Sequence, residues 1–220
     1  MRKLFLGAML LLAGCCFLNA RVDAQQTPQG EKPANEKKAV QAPADQDPMA
    51  EMMAKWKELN SKGPEHERFK KMEGVWSTET KMWMAPDTEP MISTGSAKFR
   101  LILDGRYVEQ KFTCDMMGEK FEGIGIDGYD RIKKKCVSIW MDNQSTAILM
   151  SEGTADETGK VTTYYGKMDD PIAGVKDKVV KSVAREIDEN KVIYEMYDTT
   201  PDGKEFKTME ITYTRDKGTN

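Results

Sequence analysis

The sequence predicts an all-β domain: an antiparallel up-and-down arrangement of roughly ten strands, preceded by one or two short helices. Three observations predict it. From Val75 onward, short runs rich in Val, Ile, Thr, Tyr, Phe and Trp are separated by turn residues. Within the runs apolar and polar residues alternate, the pattern of an antiparallel sheet with one wet face. The chain has 220 residues. Less an export signal and a linker, about 150 remain, enough for one domain that buries roughly 70% of its unfolded surface.

The chain opens with MRKLFLGAMLLLAGCCFLNARVDA, residues 1–24. Arg2 and Lys3 precede an apolar run from Leu4 to Leu18. That run is shorter than the ~20 residues a membrane-crossing helix needs, so it reads as a secretory signal. Two processing sites compete. Leu12-Ala13-Gly14-Cys15 resembles a lipobox, which predicts acylation of Cys15, although the apolar run continues through Phe17 and Leu18. Val22-Asp23-Ala24 suits ordinary cleavage before Gln25. Either way the protein is expected outside the cytoplasm, in the periplasm or cell envelope. Acyl chains would tether it to a membrane without inserting it.

Residues 25–47 are rich in Gln, Pro, Ala and Lys and are expected to form a disordered linker. Over residues 48–62, Asp47-Pro48 starts a helix, and Met49, Met52, Met53, Trp56 and Leu59 give it one apolar face. That face is expected to pack on the domain, with a lid or a partner contact as the alternative. Pro64 starts a second short helix, PEHERFKKMEG, which stops at Gly74. The strand domain then covers residues 63–216, counting this helix, and 217–220 form a tail. The turns are expected at Ala85-Pro86-Asp87, Asp104-Gly105, Gly118, Asp127-Gly128, Asp142-Asn143, Thr158-Gly159, Asp170-Pro171, Glu189-Asn190 and Pro201-Asp202-Gly203. Trp76, Thr78, Thr80, Met82 and Met84 share one strand face; Ala97, Phe99 and Leu101 share another. The spacing fits a barrel or a sandwich. Short turns between consecutive runs favour a meander, and closure would remove its edges.

Gly74-Val75-Trp76, after a short helix and opening the first strand, resembles the Gly-x-Trp entry of the calycins, which include lipocalins and fatty-acid-binding proteins. A longer series is more specific: GPEHERFKKMEGVW, KMWM, FRLILDGRYVEQKF, MMGEKFEGIGIDGYD, SEGT and DGKEFKTMEITYTR. Over about Gly63 to Arg215 it resembles the bacterial domain-of-unknown-function family 1579. The resemblance implies a calycin-like β-barrel with Gly74 and Trp76 as its structural signature. It carries no functional residues over.

The chemistry legible in the residues is sparse. The net charge of −3 argues against nucleic-acid binding, which needs a basic footprint. His66 is the single histidine, so a zinc site or a haem-ligating barrel histidine is not expected. It is read as a helix-terminal residue hydrogen-bonded at the closed end of the barrel. Cys114 and Cys136 fall on the third and fifth strands, too far apart for a disulfide, and are expected free and buried. No catalytic arrangement and no cofactor motif is legible. Gly123-x-Gly125 lies inside a strand and marks a close backbone approach rather than a phosphate loop.

The more suggestive residues are acids embedded in strands. Glu122, Glu152, Glu195 and Glu210 sit among apolar or aromatic neighbours, Trp140 and Asp142 share one strand face, and Arg185 offers a counter-charge. In a small barrel such groups either line a ligand cavity or point to solvent. Parity leaves the direction open, since Glu195 lies between Tyr194 and Met196. Glu122, Trp140, Glu152, Arg185 and Glu195 are therefore the candidate cavity residues. The expected partner is a small hydrophobic or amphipathic ligand. A filled structural barrel of the cell envelope and a carboxylate-based enzyme are the alternatives.

Overall fold

The computed structural model describes residues 47–170, 174–200 and 203–218. The signal segment with Cys15, the linker up to residue 46, and Pro171, Pro201 and Asp202 lie outside the described residues. Two helices, α1 (Pro48–Leu59) and α2 (Pro64–Met72), precede the strands. The strands are β1 (Gly74–Met82), β2 (Met91–Ile102), β3 (Tyr107–Met116), β4 (Glu119–Asp130), β5 (Lys135–Asp142), β6 (Leu149–Ala155), β7 (Val161–Asp170), β8 (Val175–Asp188), β9 (Lys191–Thr199) and β10 (Glu205–Arg215). Each pairs antiparallel with the next, and β10 returns to β1. The meander is thus a closed ten-stranded barrel and not a sandwich.

The Asp47 carboxylate caps α1, accepting from the Met49 N–H at 3.0 Å. The helix ends at Leu59, three residues before the expected 62. The Asn60 amide and backbone N–H both turn back to the Trp56 carbonyl, and the Ser61 hydroxyl to that of Glu58. Its apolar face does not pack on the barrel: no α1 residue is buried, and Trp56 is 59% exposed. The Arg131 guanidinium instead holds the end of α1 by its polar backbone, donating to the Glu58 and Ser61 carbonyls.

In α2 the lone histidine is a cap. His66 Nδ1 accepts the Gly63 N–H at 3.0 Å, and the Gly63 carbonyl accepts the His66 N–H. The ring is buried and meets Phe69 and Tyr129 edge-on. Phe69 enters the core while Arg68 reaches the Thr162 hydroxyl at 3.2 Å, so α2 closes one end of the barrel. Gly74, at φ +128°, turns the chain from α2 into β1, a conformation that suits glycine. Trp76 follows at 2% exposure, its indole N–H donating to the Met72 carbonyl at 2.8 Å. Arg215 covers the other ring face at 4.2 Å and donates to the Glu73 and Lys71 carbonyls.

Two local expectations are corrected. Asp127-Gly128 is not a turn, because β4 runs straight through it to Asp130. The turn lies at residues 131–134, where Lys134 takes φ +54° and the Asp130 carboxylate caps the Ile132 and Lys133 N–H groups. Met84 does not share the Trp76 face. β1 ends at Met82, the chain leaves the sheet before Pro86, and Met84 is 76% exposed. Cys114 and Cys136 lie on β3 and β5 and are free and buried.

Gly123 and Gly125 make room for one indole. A Cβ on Gly123 would overlap the Trp140 ring, and one on Gly125 would stand 3.4 Å from it. Gly123→Ala is therefore expected to cost about 1–3 kcal/mol through overpacking. Urea melts with an unchanged denaturant slope check this.

Candidate functional site

The barrel interior is packed unevenly. Toward α2 and along β1–β3 and β10, the inward residues Trp76, Ala97, Phe99, Val108, Phe112 and Tyr213 are buried and form one cluster. Exposure grows toward the opposite end: Trp76, Thr78 and Thr80 are buried, Met82 partly so, and Met91 beside it is 40% exposed. That end is the mouth. Across the barrel, Ser138, Trp140, Ser151, Tyr164 and Tyr194 share the inward parity, yet each keeps accessible surface. Trp140 and Tyr194 pack against the core cluster on one side and still keep surface, as Ser138, Ser151 and Tyr164 do, so this side of the interior is incompletely filled.

That side of the interior is polar. Asp127 pairs with Val108 and Ser138 on its neighbouring strands, which turns its carboxylate inward. It is deeply enclosed by protein and still retains accessible surface, as a residue beside an internal void does. Burial pushes its carboxyl up to about 6, against a hydrogen bond from Ser138 that works to lower it. Tyr164, Tyr194 and Tyr213 all feel this charge, and burial raises all three phenols. Gln110 Nε2 donates to the Tyr213 hydroxyl at 3.0 Å. Thr78 and Thr80 face Tyr213 and Ile211 across the β1–β10 pair. Their hydroxyls are buried without a partner. Such an unmet group costs about 1–3 kcal/mol. Trp140 stacks on Phe121 at 6.4 Å and donates to Asp142 at 3.0 Å, near the mouth.

Of the five candidate cavity residues, only Trp140 is placed toward the interior. Glu122, between Phe121 and Gly123, faces outward and pairs with Lys120 at 2.7 Å. Glu152, between Ser151 and Gly153, likewise pairs with Lys133 at 2.5 Å. Glu195 and Arg185 meet on the outer face at 2.9 Å, with Lys207 3.3 Å from the same carboxylate. Burial works to raise the Glu195 carboxyl, but the hydrogen bonds from Arg185 and Lys207 hold it below its ordinary value. The physical reason is parity: the inward positions are Tyr194 and Met196, and long cationic side chains cover the acid from outside.

Asp127, Gln110, Tyr164, Tyr194 and Tyr213 went unread as site residues. One signal was present for Asp127: Gly123, Gly125, Asp127 and Tyr129 continue a single alternation. Two grooves open on the surface. One of about 390 Å³ lies over β5–β7 beside Lys135, Glu152 and Tyr165; one of about 320 Å³ lies between α2 and the β2–β3 hairpin. Among the described residues, no group of three His, Cys, Asp or Glu is placed to hold a metal ion.

A family model described as "Protein of unknown function (DUF1579)" matches residues 61–215. No curated protein matches the chain. Among solved structures, the crystal structure of Rv2717c from M. tuberculosis superposes with a TM-score of 0.51 at 12% identity, covering 71% of this chain and 100% of that one. A redesigned β-barrel reaches a TM-score of 0.36 at 13% identity, covering 68% of this chain and 95% of that one. At such identities the likeness to Rv2717c is one of fold.

Proposed function

The chain belongs to the DUF1579 family, whose description assigns no activity, and from the geometry we propose that it is a non-enzymatic binding protein. Its barrel takes a small amphipathic molecule through the end opposite α2. The observation that supports this reading is the unevenly packed interior: polar and aromatic side chains of β4–β9 face inward and keep accessible surface, opposite a packed wall. A few convergent polar groups in an otherwise apolar site are what orient a small ligand. The carboxylate-pair enzyme loses its residues, since Glu122, Glu152, Glu195 and Glu210 face outward.

We further propose that the protein works outside the cytoplasm, tethered through Cys15 or cleaved near Gln25. No described helix is long and apolar enough to cross a membrane. Mass spectrometry of protein purified from its native host tests both parts. The expected result is an acylated Cys15 or a Gln25 N-terminus together with a co-purifying small molecule. An intact Met1 would refute the location. In vitro, an apolar fluorescent probe should bind the barrel, and Trp140→Ala should weaken it roughly tenfold, about 1.4 kcal/mol. A barrel that yields no co-purifying molecule and binds no probe, apolar or charged, would refute the function.

A second reading rests on α1. Met49, Met52, Met53 and Trp56 are each more than half exposed along one face. Such a stripe favours a contact surface.

A further inference from the structure

Asp127 is an anion without a countercharge among the described residues. The forces on its carboxyl are burial and the Ser138 hydrogen bond. Arg68 of α2 bonds Thr162 and acts on Tyr164 and Cys136, and Lys178, of inward parity on β8, is paired with Asp170 and Asp198 toward the mouth. The other titratable groups facing Asp127 are Cys136 on β5, Tyr164 on β7, Tyr194 on β9 and Tyr213 on β10. Burial raises all four, so they stay neutral through the physiological range. A buried carboxylate is ordinarily paired with a cation. Here the surroundings supply aromatic rings instead.

Resting on the binding function proposed above, we propose that the interior ligand is a small organic cation, a protonated amine or quaternary ammonium, whose charge sits at Asp127. Two features fit that chemistry. Tyr164, Tyr194 and Tyr213 share the inward parity and lie near enough to feel the Asp127 charge, and aromatic rings attract ammonium groups more strongly once water is excluded. The Thr78 and Thr80 hydroxyls are buried, unpartnered and directed into the same interior, beside Tyr213 and beside the Ile211–Tyr194 pair. They offer hydrogen-bonding capacity that protein groups leave unused.

The test uses three probes with one body and three charges: cyclohexylmethylamine, cyclohexylmethanol and cyclohexanecarboxylate. Binding to the folded chain is read by calorimetry at pH 8 and pH 5, with the amine protonated at both. The amine should bind at least tenfold more tightly than the alcohol at pH 8, and the carboxylate should not bind. That advantage should shrink at pH 5, where Asp127 is protonated. Asp127→Asn should abolish the amine's advantage over the alcohol. If that variant does not fold, the pH comparison on the unaltered protein decides alone. Equal binding of amine and alcohol at pH 8 would overturn the cation while leaving the binding function standing. An amine preference that persists unchanged at pH 5 or in Asp127→Asn would place the charge elsewhere and also overturn it. Failure of all three probes and of the apolar fluorescent probe, with no co-purifying molecule, would remove the binding function itself.

Discussion

Trp76→Ala is expected to lose about 3–5 kcal/mol of stability, the range for emptying a buried aromatic site. Three things converge on this ring. It is 2% exposed within the main core cluster. Its N–H ties β1 to the last carbonyl of α2. One face meets Phe99 edge-on, and the Arg215 guanidinium stacks on the ring from β10. Removing the side chain therefore opens a cavity and also loosens the closure of α2, β1 and β10. Ser77→Ala, one residue on and exposed, should cost about 0.5 kcal/mol or less. Urea melts of both variants make the comparison. A Ser77 variant more damaging than the Trp76 variant would contradict the strand parity, since a one-residue slip inverts every face.

Asp127→Asn is expected to stabilise the barrel at neutral pH. The carboxyl ordinarily titrates at 3.8 and is raised to about 6 in the folded chain. Between those values the folded state holds a proton that the unfolded state has released. This group's contribution is thus fully present below pH 3.8 and is lost as pH rises through about 6. The gap corresponds to on the order of 3 kcal/mol. Measured as the difference between the two proteins in urea melts, the variant should gain on the original as pH rises from 4 to 8 and then level off. Taking the difference removes groups such as Glu195, whose lowered carboxyl works in the opposite direction. A difference that is flat with pH, or that favours the original protein at pH 8, would mean that Asp127 has a buried cation partner. A destabilising carboxylate kept in the core is a feature that function, rather than stability, explains.

Much of this architecture is legible in the residues alone. Period-two alternation and the turn residues were enough for ten antiparallel strands, because a sheet with one wet face writes its geometry into successive residues. The Gly74-Val75-Trp76 entry, the capping role of His66 and the separation of Cys114 from Cys136 were legible for the same reason: each depends on contacts close in sequence or on strand order. The Asp127-Gly128 misreading shows where local rules fail. Asp-Gly is strong turn chemistry, yet pairing with β3 and β5 holds it extended, and the turn falls on the next charged run.

The direction of the strand acids was decided by the tertiary structure alone. Alternation divides a strand into two faces without saying which one a closed barrel turns inward, when both carry aromatics and charges. Glu195 and Tyr194 illustrate it: one is wrapped from outside by Arg185 and Lys207, the other borders the interior. The exposed face of α1 was decided in the same way, because periodicity predicts an apolar stripe but not a surface to cover it. The fold and its order of strands follow from local periodicity. Which side chains meet inside does not. That depends on closure of β1 onto β10, which sets far-apart residues such as Thr78, Gln110, Asp127 and Tyr213 around one volume.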